Sequence, residues 1–213
     1  MIIKICGIQN QDTLICCENN SINFFGMIFY PKSPRNISIE NANKLNKISE
    51  KLNINGVGVF VNKDINELEE IIKYVNLKYV QLHGSEDELY IKNLKKFGVK
   101  IIKSISVSNE DDLKKINNYQ TADYFLFDHK PKKNELPGGN SKSFDWNILK
   151  SLKTDKPWFL SGGININNIQ QIIVDINPYG VDLSSGVEKE LGIKDNQIIN
   201  NFIEKLNHAQ KYI

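Results

Sequence analysis

Eight short runs of apolar, β-branched or aromatic residues recur along this chain, each followed by a polar turn and a helix-like pattern. They fall near Ile2–Cys6, Phe24–Phe29, Val57–Val61, Tyr79–Leu82, Lys100–Ile105, Tyr124–Asp128, Trp158–Ser161 and Gly180–Leu183. Their starts are spaced by 22, 33, 22, 21, 24, 34 and 22 residues. Strands that alternate with helices over so short a repeat must run parallel, joined by right-handed crossovers. Eight such units are the number that closes a barrel, so the spacing predicts a (β/α)8 TIM barrel, one domain over residues 1–213. An open doubly wound sheet would usually carry a glycine-rich turn after its first strand, and here that turn reads Cys6-Gly7-Ile8-Gln9.

Helix starts support the alternation. Asp64 with Glu67 and Ser85 with Glu88 form capping boxes, and Ser108 with Asp111 forms a weaker one. Ser38 should open a helix running through Leu52, and Asp195 the last one, to about Tyr212. The two long units carry their extra residues directly after the strand, at 30–37 and 129–144. In a barrel those loops gather at the C-terminal mouth, where chemistry is done.

Composition narrows the partners. Lys and Arg exceed Asp and Glu by only 27 − 25 = 2, with charges interspersed, so neither nucleic acid nor an anionic membrane surface is expected to bind. No apolar run approaches the ~18 residues of a membrane span, and the strand-like start is too short for a signal peptide. Cys6, Cys16 and Cys17 are odd in number, and no Cys/His spacing suggests a zinc site. A reduced, cytoplasmic protein without metal is expected, monomeric or homodimeric.

Side chains alternate along a strand, so parity tells which share a face. Lys4 with Cys6, Gln81 with His83, and Asp182 with Ser184 each oppose apolar neighbours, and Asp128 ends its strand. Only the barrel interior near its mouth can take polar groups from four strands at once, which marks an active site. Taken singly each residue has a plainer reading: Cys6 as a small core residue, Lys4 and Asp182 as an interior ion pair, His83 as an inert hydrogen-bonded ring, Asp128 as a loop cap. Cys16 and Cys17, within the first helix, are read as packing. After the last two strands, Ser161-Gly162-Gly163 and Ser184-Ser185-Gly186 are small-residue loops where backbone N–H groups could approach a phosphate. A short helix near Ser185 would add its N-terminal partial charge.

The chain resembles the phosphoribosylanthranilate isomerase family. The resemblance is carried, in order, by Lys4-Ile5-Cys6-Gly7-Ile8, Gly26 through Ser33-Pro34-Arg35, Val57-Gly58-Val59-Phe60, Val80-Gln81-Leu82-His83-Gly84, Asp128, Gly138-Gly139 with Phe144-Asp145-Trp146, Ser161-Gly162-Gly163-Ile164, and Asp182 through Glu188. Two positions depart from the family pattern: Asn140-Ser141 follows Gly138-Gly139, where Thr or Ser and then Gly is usual, and Gln9 stands where Thr is common.

The resemblance implies a cofactor-free Amadori rearrangement of N-(5′-phosphoribosyl)anthranilate in tryptophan biosynthesis. It implies Asp128 as general acid, Cys6 as general base, Arg35 as the partner of the anthranilate carboxylate, and His83 and Asp182 against the substrate. It assigns the 5′-phosphate to Gly139, Gly162, Gly163, Ser184, Ser185 and Gly186. A cysteine base works as the thiolate, so its pKa of about 8.5 should be lowered by nearby positive charge. Lys4, on the same strand face, is expected to do this. Two alternatives stay open: the related histidine-pathway isomerase, which has an aspartate where Cys6 stands, and a silent phosphosugar-binding protein on the same fold.

Overall fold

The computed structural model describes residues 1–131, 138–139 and 143–211. Eight parallel strands close into a barrel in chain order: β1 (Ile2–Cys6), β2 (Phe24–Ile28), β3 (Asn55–Phe60), β4 (Tyr79–Leu82), β5 (Lys100–Val107), β6 (Tyr124–His129), β7 (Trp158–Leu160) and β8 (Gly180–Leu183). β1 pairs with both β2 and β8, which closes the ring. Three of the expected strands have the expected bounds, four differ by one or two residues at one end, and β3 starts two residues earlier and ends one earlier than expected.

The outer layer is made of α1 (Gln11–Asn19), α2 (Ile39–Ser49), α3 (Ile65–Val75), α4 (Glu88–Lys95), α5 (Ile169–Asp175) and α6 (Asn196–Gln210). After β5 and before β7 the covering segments are 3₁₀ helices, Glu110–Asn118 and Trp146–Ser151. Ser38, Asp64 and Asp195 cap their helices as expected, each accepting from first-turn N–H groups. Two expected caps are displaced. Asp87 rather than Ser85 caps α4, because the Ser85 hydroxyl donates to Asn62 Oδ1. Asn109 rather than Ser108 caps the segment after β5, since the Ser108 hydroxyl donates to Asp112. α2 stops at Ser49, short of Leu52. The end of the last helix at Tyr212 lies outside the described residues. Cys16 and Cys17 are buried, as packing requires.

The barrel interior is apolar below and polar above. Phe24, Tyr79, Tyr124 and Phe159 form an aromatic floor, with Phe24 edge-on to Tyr79 at 5.0 Å and to Phe159 at 6.0 Å. Val57, Val59, Ile102 and Leu126 pack on them. Everything inward-facing above that plug must satisfy its polar groups at the mouth.

A buried ion pair outside the barrel fixes part of that mouth. Lys103 Nζ lies 2.9 Å from Glu86 Oε2, and both side chains are shielded from solvent. Glu86 also accepts from the N–H groups of Asn62 and Gly84, while Lys103 donates to Gly84 O. The loops after β3 and β4 are thereby tied together next to His83. Among the described residues, no helix is long and apolar enough to cross a membrane.

Candidate active site

The residues expected at the mouth do line one cavity, including Cys6, Arg35, Gln81, His83, Asp128, Gly139, Asp182 and Ser184. A concave site with several convergent polar groups suits a small molecule. β1 brings Lys4 and Cys6 to the same inward face, and register pairs Lys4 with Asp182. Lys4 Nζ lies 3.0 Å from Asp182 Oδ1 with both groups buried, so the interior ion pair forms, and Asp182 is its member in the cavity wall. Gly26 on β2 makes room for this: a methyl on its Cα would sit 2.7 Å from Cys6 Sγ and 3.1 Å from Lys4 Nζ. The ammonium and the sulfur therefore pack over the same bare Cα.

The charge balance at Cys6 differs from the expectation. Burial pushes the Cys6 thiol above its ordinary value, with Lys4 and Lys194 pulling it down and Asp182 pushing it up. Desolvation of the thiolate outweighs the nearby cations. For Lys4, burial opposes the charged form, but Asp182 and then Cys6 more than compensate, and its pKa is raised. Burial likewise pushes Asp182 up against the pull of Lys4.

Asp128 stands one residue before the end of β6, with its Oδ1 accepting from the His129 N–H at 2.8 Å. Its Oδ2 lies 3.3 Å from His83 Nε2, and the Gln81 amide nitrogen is 3.0 Å from His83 Nδ1. With the amide donating to Nδ1, the imidazole carries its proton on Nε2 and donates to Asp128. His83 is thus a partner of Asp128 as well as a cavity residue.

Arg35 comes from the loop after β2. That loop folds back on its own strand, with Ile37 N donating to Ile28 O and Arg35 N to Ser33 Oγ. The result is a buried guanidinium at the cavity edge. Gln9, one of the two departures, donates to Asn36 O at 2.9 Å and ties the first loop to this one. The other, Asn140-Ser141, lies outside the described residues.

On the other side, an adjoining recess is lined by Gly139, Gly162, Gly163, Ser184 and Ser185. Gly186 stands behind it: a methyl there would fall 1.9 Å from Ile164 O, so only glycine lets the loops after β7 and β8 meet. The expected short helix is a single 3₁₀ turn, Ser185–Val187. The Ser184 hydroxyl is engaged with Cys6 O and Lys194.

Lys194 and the role of Glu188 carry no signal in the sequence. They lie on a hairpin, β9 (Glu188–Glu190) and β10 (Ile193–Lys194), which follows the 3₁₀ turn. Glu188 accepts from Arg35 Nε at 2.7 Å and Nη2 at 2.9 Å, from Lys194, and from Gly192 N at 3.1 Å. Burial alone would raise its pKa, but Arg35 and Lys194 hold the carboxyl at about 2, below the ordinary 4.5. Folding lowers this pKa, so the stabilisation is complete above about pH 4.5 and is lost as pH falls toward 2. It is worth at most about 3 kcal/mol, less whatever solvent at the mouth screens. Urea unfolding at pH 6 and pH 3 should show a larger loss in the native chain than in a Glu188→Gln variant; equal losses would remove Glu188 as an acid-labile contact.

The family model for N-(5′-phosphoribosyl)anthranilate (PRA) isomerase matches residues 3–205. The chain is 39% identical over 210 residues to N-(5′-phosphoribosyl)anthranilate isomerase of Brucella canis, covering 97% of this chain and 94% of that one. It superposes on the phosphoribosyl anthranilate isomerase of Thermotoga maritima with a TM-score of 0.85 at 33% identity, covering 98% and 100% of the two chains. A further isomerase structure, in complex with reduced 1-(o-carboxyphenylamino)-1-deoxyribulose 5-phosphate, matches with a TM-score of 0.82 at 32% identity over 98% of this chain and 100% of that one.

Proposed function

Because this chain belongs to the N-(5′-phosphoribosyl)anthranilate isomerase family and catalyses that isomerisation in tryptophan biosynthesis, we propose that Asp128 is its general acid and Cys6 its general base. The observation that carries this assignment is convergence. Both groups line one cavity, with a buried arginine against Gly139 at one edge and the glycine-rich loops after β7 and β8 at the other. A substrate with an aromatic carboxylate at one end and a phosphate at the other spans that arrangement.

The chemistry follows from the charges. Asp128 gives its proton to the ring oxygen of the furanose as the C1′–O bond breaks, and the amine lone pair moves in to form a protonated Schiff base. The Cys6 thiolate then takes the C2′ proton, and the C–H electron pair neutralises the imine to an enolamine. Ketonisation, with loss of the O2′ proton and protonation at C1′, completes the aldose-to-ketose change. No step needs an electron acceptor or donor from outside.

Arg35 holds the ring carboxylate, because a planar, permanently charged guanidinium suits a planar anion. Asp182, held by its ion pair with Lys4, meets the substrate amine or hydroxyls through its carboxyl. Backbone N–H groups of Gly139, Gly162, Gly163 and Ser185 take the phosphate, and Ser184 joins them through its backbone because its hydroxyl is engaged elsewhere. The direct test follows the loss of fluorescence of freshly made N-(5′-phosphoribosyl)anthranilate without added metal or cofactor. Saturable turnover that disappears on chemical blocking of Cys6 supports the assignment. Full turnover after complete modification of that thiol removes Cys6 as the base.

A further inference from the structure

We propose that Glu188 is the positioning residue of the carboxylate site, and that Arg35, Glu188 and Lys194 act as a charge triad that makes the enzyme selective for a carboxylated aromatic ring. The proposal rests on Arg35 binding that carboxylate.

Glu188 takes one edge of the guanidinium in two near-parallel bonds, from Nε at 2.7 Å and Nη2 at 2.9 Å. The other Nη2 hydrogen goes to Gly139 O at 3.3 Å. Three of the five N–H groups are thus committed, and among the described residues Nη1 donates to nothing. Nη1 faces Gly139, where a methyl would come within 2.5 Å of it. Arg35 and Gly139 both line the mouth cavity. A free arginine would lose several rotatable bonds on gripping a ligand; one clamped from behind has lost them on folding.

The charge count explains why the clamp does not quench the site. Arg35 paired with Glu188 alone would be neutral and would offer an anion little. Lys194, buried against the same carboxylate, restores one net positive charge. A buried surplus charge is costly until an anion completes it. Lys194 also donates to Ser184 O at 3.2 Å, and the Ser184 hydroxyl donates to Cys6 O at 3.1 Å. The carboxylate site is therefore tied to the backbone of the residue proposed as base. Gly192 holds the hairpin in place, its N–H on Glu188 and its Cα bare where a methyl would lie 2.9 Å from Pro34 O.

The test measures calorimetric binding of the reduced product analogue, 1-(2-carboxyphenylamino)-1-deoxyribulose 5-phosphate in its reduced form, and of the same compound without the ring carboxylate. Glu188→Gln should weaken the carboxylated analogue roughly tenfold or more and the carboxylate-free one by less than about threefold. KM should rise with kcat nearly unchanged. In an Arg35→Met background, Glu188→Gln should have no further effect on the carboxylated analogue. Glu188→Asp, which keeps the charge, should recover part of the loss, and it carries the test alone if the Gln variant does not fold. Equal weakening of both analogues, or full additivity with Arg35→Met, overturns the positioning role. If Arg35→Met weakens the two analogues equally, or weakens neither, the reading of Arg35 fails instead.

Discussion

An Asp128→Asn variant should bind the reduced product analogue almost as well as the native enzyme and turn over roughly 10²–10⁴-fold more slowly, the range that a positioned proton donor contributes. Asparagine is nearly isosteric. Its Oδ1 can still accept from the His129 N–H, and its other terminal atom still faces His83 Nε2. What it lacks is a proton to give to the ring oxygen. The loss should therefore fall on kcat, with KM little changed, because the missing interaction exists only as the C1′–O bond breaks. With Oδ1 kept on the His129 N–H, Nδ2 faces His83 Nε2, and the ring meets it by carrying its proton on Nδ1, toward a turned Gln81 amide whose Oε1 has no other partner among the described residues. Steady-state kinetics beside calorimetric binding separate the two effects. A variant with native kcat would end the claim that Asp128 is the acid, and one that no longer bound the analogue would make it a binding residue.

Lys4→Met should have the second large effect, on stability and on the pH profile together. Removing one partner of the buried Lys4–Asp182 pair leaves a carboxylate in the barrel interior without its cation, at an expected cost of about 3–5 kcal/mol. The same substitution removes the nearest charge that favours the Cys6 thiolate. The Cys6 thiol already titrates above its ordinary value, so losing Lys4 moves it further up. The reactive form of the base is the thiolate, and activity rises with pH as it forms. The rising limb of the pH–rate profile should accordingly move to higher pH, and activity at pH 7 should fall by roughly tenfold or more, in step with the thiolate population. Denaturant unfolding measures the first effect, and kcat/KM against pH the second. A profile that stayed in place while stability fell would leave Lys4 a structural residue with no hold on the base.

Much of the molecule is legible in the chain because it rests on short-range periodicity. Strand parity brings Lys4 and Cys6 together on β1, Gln81 and His83 on β4, and Asp182 and Ser184 on β8; five of the six line the mouth, and Lys4 is buried against Asp182. Caps at Ser38, Asp64 and Asp195 are legible for the same reason: a side-chain oxygen and an N–H two or three residues on are neighbours by covalent geometry alone. Ser85 and Ser108 mislead because their hydroxyls find other partners, in one case on a loop 23 residues away. The hairpin from Glu188 to Lys194 carries no local signal at all. Its meaning depends on Arg35, which lies 153 residues from Glu188 in sequence.

By itself the sequence determined the eightfold strand–helix repeat, the closed barrel, the face of each strand that turns inward, and the set of polar groups at the mouth. These depend on periods of two and 3.6 residues, which any local stretch of chain expresses. Only the tertiary structure decided how charge is distributed among those groups. Parity correctly set Lys4 beside Cys6, yet the thiol is pushed up rather than down, because burial, with Asp182 close by, outweighs the Lys4 and Lys194 ammonium groups. The Glu188 carboxyl goes the other way, since Arg35 from a distant loop and Lys194 from the facing strand of its own hairpin meet it. Desolvation and Coulomb attraction scale with what surrounds a group in space, and that is a property of the closed barrel and of no single segment.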